Sequence, residues 1–271
     1  MKFYSIIVYI LIFFNLNSSA QNNQQEKPFI LGEIQTINSS ILKENRILNI
    51  YLPEGYSADS TGTYPVIYLL DGSANEDFIH VAGLVQFLTM IEKMPKSIVV
   101  GVANIDRKRD FTFPTTIKKD LKDFPTTGKS ENFISFLENE LQPYISKKYK
   151  TNDNKTLIGQ SLGGLLATEI LFKKPQLFTN YMIISPSLWW DNESLLNDAS
   201  KYSAKYLDIK TNVYISVGTE GKQMEGDARK LAEVLRGYKK LNVSFMPLPE
   251  ENHLTILHNS LYKGFGILYP N

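Results

Sequence analysis

Lys155-Thr156-Leu157-Ile158-Gly159-Gln160-Ser161-Leu162-Gly163-Gly164-Leu165-Leu166-Ala167-Thr168-Glu169-Ile170 is the stretch on which the reading of this chain turns. Lys155 to Ile158 reads as a short buried strand closed by a glycine. Leu162, Leu165, Leu166 and Ile170 then recur at helical spacing and stop before Pro175, which cannot continue a helix. A strand, a sharp turn and a helix around Gly159-Gln160-Ser161-Leu162-Gly163 form a G-x-S-x-G arrangement. Such a turn throws the serine hydroxyl above the sheet, and the small neighbours relieve the crowding. The string alone is a weak signal, but its strand-to-helix setting makes Ser161 a candidate nucleophile.

Outward from this element, β-rich runs recur at Arg46 to Leu52, Val66 to Leu70, Ser97 to Val102, Tyr181 to Ser185, Asn212 to Val217 and Asn242 to Met246. Several are unbroken apolar runs, which suits strands buried on both faces. Helical stripes lie between them, at Glu131 to Tyr149 and Asp227 to Tyr238, with a further helix expected over Leu254 to Phe265. Strands alternating with amphipathic helices predict an α/β fold with a mostly parallel sheet. No linker or internal repeat divides the chain, so one domain is expected over residues 29–271. Two excursions interrupt the alternation: Asp106 to Ser130, rich in charge, Pro and Thr, and Ser185 to Tyr206, which carries both tryptophans. Excursions above the strand C-termini are expected to wall a substrate site.

The 271 residues are 43% hydrophobic and 21% charged, an ordinary globular composition that excludes wholesale disorder and collagen. Lys+Arg 29 balance Asp+Glu 28 without a sustained basic block, which argues against a nucleic-acid partner. With Cys 0, thiolate metal sites, redox pairs and cysteine nucleophiles are excluded together. Lys2, the apolar run Ile6 to Phe14 and the small triplet Ser18-Ser19-Ala20 make a secretory signal pattern over residues 1–20. Even from Phe3 to Leu16 the apolar stretch falls short of the ~20 residues that span a bilayer, so cleavage and export to a periplasm or the exterior are expected, without lasting membrane insertion. Residues 21–28 read as a flexible leader.

A serine hydroxyl needs a base, and the chain offers His80, His253 and His258. In α/β enzymes built on such a turn the acid and then the histidine follow the serine in the chain, which removes His80. His253 lies in Glu250-Glu251-Asn252-His253, a loop past the last expected strand that can return over the serine, whereas His258 falls inside a helix. The orienting carboxylate should follow the strand Asn212 to Val217, where Glu220, Glu225 and Asp227 all stand. Glu220 is nearest the strand end, and Asp227 reads equally well as a first-turn acid of the next helix. The oxyanion hole needs two backbone N–H groups. One is expected from Leu162 and the other from Ser73 or Gly72, in the turn after Val66 to Leu70.

Thr127-Gly128-Lys129-Ser130 ends like a phosphate-binding loop, but Asp123 occupies the position of its first glycine and Pro125 lies within it. No H-E-x-x-H or other close His/carboxylate pattern is present, so neither a metal nor a cofactor is expected. Trp189 and Trp190 read either as core filling or as a substrate wall.

With these residues assembled, the chain resembles the α/β-hydrolase esterase family that contains the siderophore esterases, S-formylglutathione hydrolases, feruloyl esterases and mycolyltransferases. The resemblance runs from about Arg46 to the C-terminus and is carried by Tyr64-Pro65-Val66-Ile67-Tyr68-Leu69-Leu70-Asp71-Gly72, Val100-Gly101-Val102, Arg107-Lys108-Arg109-Asp110-Phe111-Thr112, Gly159 to Gly164, Ser185-Pro186-Ser187-Leu188-Trp189-Trp190 and Glu251-Asn252-His253. The R-x-R-D-x-T and SPSLWW strings are similar to the siderophore-esterase branch, from which the chain departs by Phe113 between Thr112 and Pro114. The resemblance implies helices on both faces of the sheet, Ser161 as nucleophile, His253 as general base and acid, and Glu220 as the acid. It also implies a small-molecule or glycan ester as substrate: a siderophore lactone, or an acyl or feruloyl ester. The same residues would serve acyl transfer to a sugar or lipid, and the scaffold without turnover would bind a ligand through the tryptophans.

Overall fold

Side chains alternate across a strand, and this explains why so many strands here read as unbroken apolar runs. In the strand Tyr64–Leu69 and the residue after it, Val66, Tyr68 and Leu70 enter one buried cluster while Ile67 and Leu69 enter another on the opposite face. Tyr181 and Ile183 likewise oppose Met182 and Ile184. A strand covered on both sides has no solvent face to carry polar residues.

The computed structural model describes residues 27–59, 61–199, 201 and 209–270. The expected signal segment, residues 21–26 of the leader and residues 200 and 202–206 of the second excursion lie outside them. The strands are β1 Glu33–Ser39, β2 Glu44–Tyr51, β3 Tyr64–Leu69, β4 Ile98–Val102, β5 Thr151–Gln160, β6 Asn180–Ile184, β7 Thr211–Val217 and β8 Leu241–Pro247. They form one sheet in the order β1-β2-β4-β3-β5-β6-β7-β8. β2 runs antiparallel to β1 and β4, and every other pairing is parallel. The helices are α1 Phe78–Met90, α2 Arg107–Phe111, α3 Lys118–Asp123, α4 Ser130–Phe136, α5 Gln142–Lys148, α6 Leu162–Lys173, α7 Trp190–Asn197, α8 Lys222–Arg236 and α9 Ile256–Leu268. α1 and α9 cover one face, and α4, α5, α6 and α8 the other. This is an α/β-hydrolase fold, and its parallel strands bring the loops after β3 to β8 to one end of the sheet. Among the described residues no helix is long and apolar enough to cross a membrane.

Three elements differ from the sequence expectation for physical reasons. α1 (FIHVAGLVQFLTM) is apolar on nearly every side, so no polar stripe marks it as a helix. β1 (EIQTINS) is a largely exposed edge strand with no run of core residues. The helix expected over Glu131 to Tyr149 is interrupted by a wide π turn at Leu137–Leu141, directly before Gln142 and Pro143. Proline has no N–H to continue the ladder, and a widened turn accommodates that loss.

The turn between β5 and α6 tolerates no bulk. A Cβ on Gly159 would stand 2.2 Å from the Gly163 carbonyl oxygen, and one on Gly164 would stand 2.9 Å from Pro186 Cα. Both obstacles are backbone, so neither can swing away. Gly159→Ala is therefore expected to cost about 3 kcal/mol of stability, at the upper end of ordinary overpacking, as read by urea unfolding.

Candidate active site

Ser161 closes β5 with φ 59° and ψ −119°, a conformation that L residues rarely adopt. Strain of this kind costs about 1–3 kcal/mol and persists only where the surroundings hold it. They do so here: Ser161 N–H donates to the Ile184 carbonyl at 3.0 Å, while its own carbonyl accepts from Leu165 N–H and Ser187 N–H, each at 3.0 Å. The side chain is thereby fixed at the head of α6, its Oγ 3.2 Å from Ser187 Oγ.

The loop after β8 brings His253 to the same end of the sheet. Gln160, the middle residue between Gly159 and Ser161, donates from Nε2 to the His253 carbonyl at 2.6 Å, tying the histidine loop to the serine turn. His253 Nδ1 lies 2.5 Å from Glu220 Oε2. Glu220 Oε1 accepts from Ser185 Oγ at 2.5 Å and from Gly218 N–H at 2.9 Å. Burial by itself would raise this carboxyl, but the bonds from His253, Ser185 and Gly218 outweigh it and hold Glu220 below the usual carboxylate range. Its side chain is 3% exposed while that of His253 is 40% exposed, so an ionised, fixed carboxylate backs an imidazole that still reaches the cleft.

The other two acids are otherwise engaged. Glu225 Oε1 accepts from Glu220 N–H and Gly221 N–H, both at 2.9 Å, and so shapes the loop that carries Glu220. Asp227 is buried in α8 with one carboxyl oxygen unpartnered. Burial, then the nearby Glu193, push its pKa up to about 6 against the opposing pull of Lys230. A raised folded-state pKa means that the folded chain holds the proton more tightly. Stability is therefore lost as pH climbs from about 4 to 6, and the full cost is felt above that. Asp227→Asn is expected to stabilise the protein at pH 7.5 by about 1 kcal/mol, after discounting for solvent screening, with turnover within about twofold of wild type. Thermal melts and initial rates on the same preparation check both.

Of the two expected oxyanion donors beside β3, Gly72 is removed: its N–H donates to the Val102 carbonyl at 3.0 Å. Ser73 remains, together with Leu162 at the start of α6. His258 is paired with His80 and lines no part of the serine's cleft.

Ser161, Ser187, Trp189, Thr219, Glu220, Met224, Asn252 and His253 line an open cleft of about 420 Å³. Through Trp189, Glu220 and Met224 it continues into a second space of about 600 Å³ under α3, lined by Phe124, Lys119, Lys222, Asp120 and Asp123 among others. A larger groove of about 880 Å³ lies between Tyr51, Met90, Lys93 and Tyr269, but it contains no histidine and no residue of the serine site.

Of the two readings open for the tryptophans, core filling and substrate wall, Trp189 takes the second by lining the cleft, and Trp190, a substrate-binding candidate beside it, takes the first. Trp190 is fully buried, its indole N–H donates to the Phe113 carbonyl at 3.0 Å, and its ring packs against Phe124 and Phe113 at 5.3 and 6.5 Å. It supports the wall from behind, and the additional Phe113 supplies part of that support. The two excursions are also clamped to each other: Thr115 Oγ1 donates to Asp191 Oδ1 at 2.6 Å, and Asp191 N–H donates to Asp120 Oδ2 at 3.1 Å. Asp191, Asn192 and Glu193 make a left-handed turn there, with φ of 50°, 57° and 60°.

The R-x-R-D-x-T string is a bracket for this end of the sheet. Arg107 grips Asp71 with two bonds, of 2.6 and 2.9 Å, and reaches the Gln160 carbonyl at 3.2 Å. Arg109 binds Glu44 and Asp110, and the buried Arg46 pairs with Asp110. Gln160, Ser185, Ser187 and Arg107 all lay inside strings recognisable in the sequence, yet their individual roles depend on which loops meet above the sheet.

The chain is 28% identical over 241 residues to the ferri-bacillibactin esterase BesA of Bacillus subtilis, an alignment covering 79% of this chain and 82% of that protein. Its fold superposes with a TM-score of 0.80 on the BES protein of Bacillus cereus, at 32% identity over 92% of this chain and 99% of that one. It superposes equally well, at 0.80, on an IroE-like serine hydrolase of Shewanella oneidensis, with 31% identity over 88% of this chain and 80% of that one. The model of the family described as "Putative esterase" matches residues 39–254, which contain Ser161, Glu220 and His253, and the chain belongs to that esterase family.

Proposed function

We propose that the chain is an exported serine esterase that opens a siderophore-type lactone through an acyl-enzyme on Ser161. The Glu220–His253 contact at 2.5 Å, in a cleft shared with Ser161, is the observation that carries the reading. In the first step Ser161 Oγ turns from Ser187 to His253, gives up its proton to the imidazole and adds to the ester carbonyl. Glu220 stabilises the imidazolium, and the N–H groups of Leu162 and Ser73 receive the developing oxyanion. His253 then protonates the departing alkoxide, the acyl group stays on Ser161, and water activated by His253 releases the acid. Acyl transfer would differ only in the nucleophile of this last step, and the openness of the cleft favours water.

The lactone reading rests on relatives such as the ferri-bacillibactin esterase of B. subtilis and the siderophore triacetylfusarinine C esterase of Aspergillus fumigatus. The aromatic wall of Trp189 and Phe124, their rings 6.0 Å apart, suits the aryl groups of a catecholate ester. Export rests on the pattern of residues 1–20, and N-terminal sequencing of protein secreted by the native cell checks it. The substrate is tested by product analysis with a catecholate trilactone, a feruloylated sugar and short nitrophenyl esters. The trilactone should exceed the feruloyl ester in kcat/KM by about 100-fold or more. A preference in the opposite direction would replace the lactone by a feruloyl substrate.

A further inference from the structure

The strand order decides what stands on each flank of the nucleophile. Ser161 ends β5, whose neighbours in the sheet are β3 and β6. The oxyanion donor Ser73 follows β3, whereas Ser187, Glu220 and His253 follow β6, β7 and β8 and line the cleft together on the opposite flank. Ser187 is 2% exposed, and among the described residues its Oγ has one partner, Ser161 Oγ at 3.2 Å. Its main chain is fixed, because its N–H donates to the Ser161 carbonyl at 3.0 Å and its carbonyl accepts from Trp190 N–H at 3.2 Å. We propose that Ser187 is a further catalytic residue, which holds the hydrolytic water against His253 and thereby selects water over alcohols as acceptor of the acyl group. The assignment rests on the acyl-enzyme reading of Ser161.

A buried hydroxyl is costly to leave unpaired, and it offers one donor and two acceptor sites. In the free enzyme Ser187 and Ser161 satisfy each other. Acylated Ser161 has no proton to donate, so the lone pairs of Ser187 lose their partner. Water replaces it, because its two hydrogens suit two acceptors, the imidazole of His253 and Ser187 Oγ. In deacylation His253 takes the first of these protons, the water oxygen adds to the acyl carbon, and the bond from that carbon to Ser161 Oγ breaks as His253 returns the proton to Ser161. Ser187 keeps its own proton throughout and fixes the direction of attack. An alcohol carries a single O–H, which must go to His253, and so leaves Ser187 unpaired. A site built for a hydrogen bond discriminates strongly against a partner that lacks it. Acylation consumes no water, and Ser187 therefore acts on release of the acid. The SPSLWW string makes Ser187 visible in the sequence, but its place beside Ser161 comes from the pairing of β5 with β6.

The test follows nitrophenyl butyrate with the purified protein, in wild type, Ser187→Ala and Ser187→Cys, with and without added methanol. The burst of nitrophenol reads acylation, decay of the acyl-enzyme mass reads deacylation, and the ratio of methyl butyrate to butyrate reads the choice of acceptor. In Ser187→Ala acylation should stay within about threefold of wild type, while hydrolysis of the acyl-enzyme slows by about 10- to 100-fold. Methyl ester should gain on the acid by about tenfold or more. Ser187→Cys, close to serine in size but with a thiol that hydrogen-bonds weakly, should behave in the same way and separates loss of the hydroxyl from a packing effect of alanine. Deacylation within about twofold of wild type, a fall in acylation as large as that in deacylation, or an unchanged acceptor ratio would each overturn the role of Ser187 and leave the acyl-enzyme standing. A wild type that forms no acyl-enzyme would overturn both.

Discussion

Replacing Ser161 by alanine is expected to lower kcat for ester hydrolysis by about 10⁴- to 10⁶-fold, leaving only what the oxyanion donors and substrate binding supply. The fold should survive, because the main chain at Ser161 is held by the bonds to Ile184, Leu165 and Ser187, not by the hydroxyl. Alanine at φ 59° carries the same strain as serine, so stability should change little. Binding of an intact substrate should also persist, since Trp189, Met224 and Phe124 are untouched. The discriminating measurement is therefore single-turnover hydrolysis beside equilibrium binding of the same ester. Wild-type rates in Ser161→Ala would remove the acyl-enzyme altogether, and undiminished binding without turnover in the wild type would leave a ligand-binding protein on a hydrolase scaffold.

Glu220→Gln is the second large effect, a fall in kcat of about 10³- to 10⁴-fold. Glu220 presents two acceptor oxygens, Oε1 to Ser185 and Gly218 N–H and Oε2 to His253. A carboxamide keeps one acceptor only. With its oxygen satisfying Ser185 and Gly218, its NH₂ faces Nδ1 and forces the proton onto the ring nitrogen that must accept from Ser161. The variant also carries a pH signature. A carboxyl held below its ordinary value in the fold stabilises the protein above that value, and the contribution is lost as pH falls through the folded-state pKa. The difference in unfolding free energy between wild type and Glu220→Gln should be largest above about pH 5 and shrink as the medium becomes more acidic than about pH 4.5. Equal turnover in the two proteins would instead assign the orienting role elsewhere.

These two expectations depend on features that were unequally visible in the sequence. Ser161 was legible because its neighbours are constrained locally: Gly159 and Gly164 leave no room for a Cβ, and the strand and helix on either side carry their own periodicity. His253 was legible by elimination among three histidines and by its place after β8. The acid was only narrowed to Glu220, Glu225 and Asp227. Which carboxylate meets the imidazole is decided by how the loop after β7 folds, and Glu225 is the residue that folds it. The choice between core and wall for Trp189 and Trp190 stays open in the sequence for a related reason: adjacent residues of a tight turn point in different directions, and a pair of tryptophans does not say which ring faces the cleft. Gln160 and Arg107 join separate loops, so nothing in their local sequence reveals what they hold.

The most direct test of an activated Ser161 is covalent labelling of the purified protein with a fluorophosphonate probe, in wild type, Ser161→Ala and His253→Ala. Labelling of wild type at a single serine, absent in Ser161→Ala and lost or strongly slowed in His253→Ala, is the expected result. Labelling that persists in Ser161→Ala, or a folded wild type that takes up no probe, would contradict it.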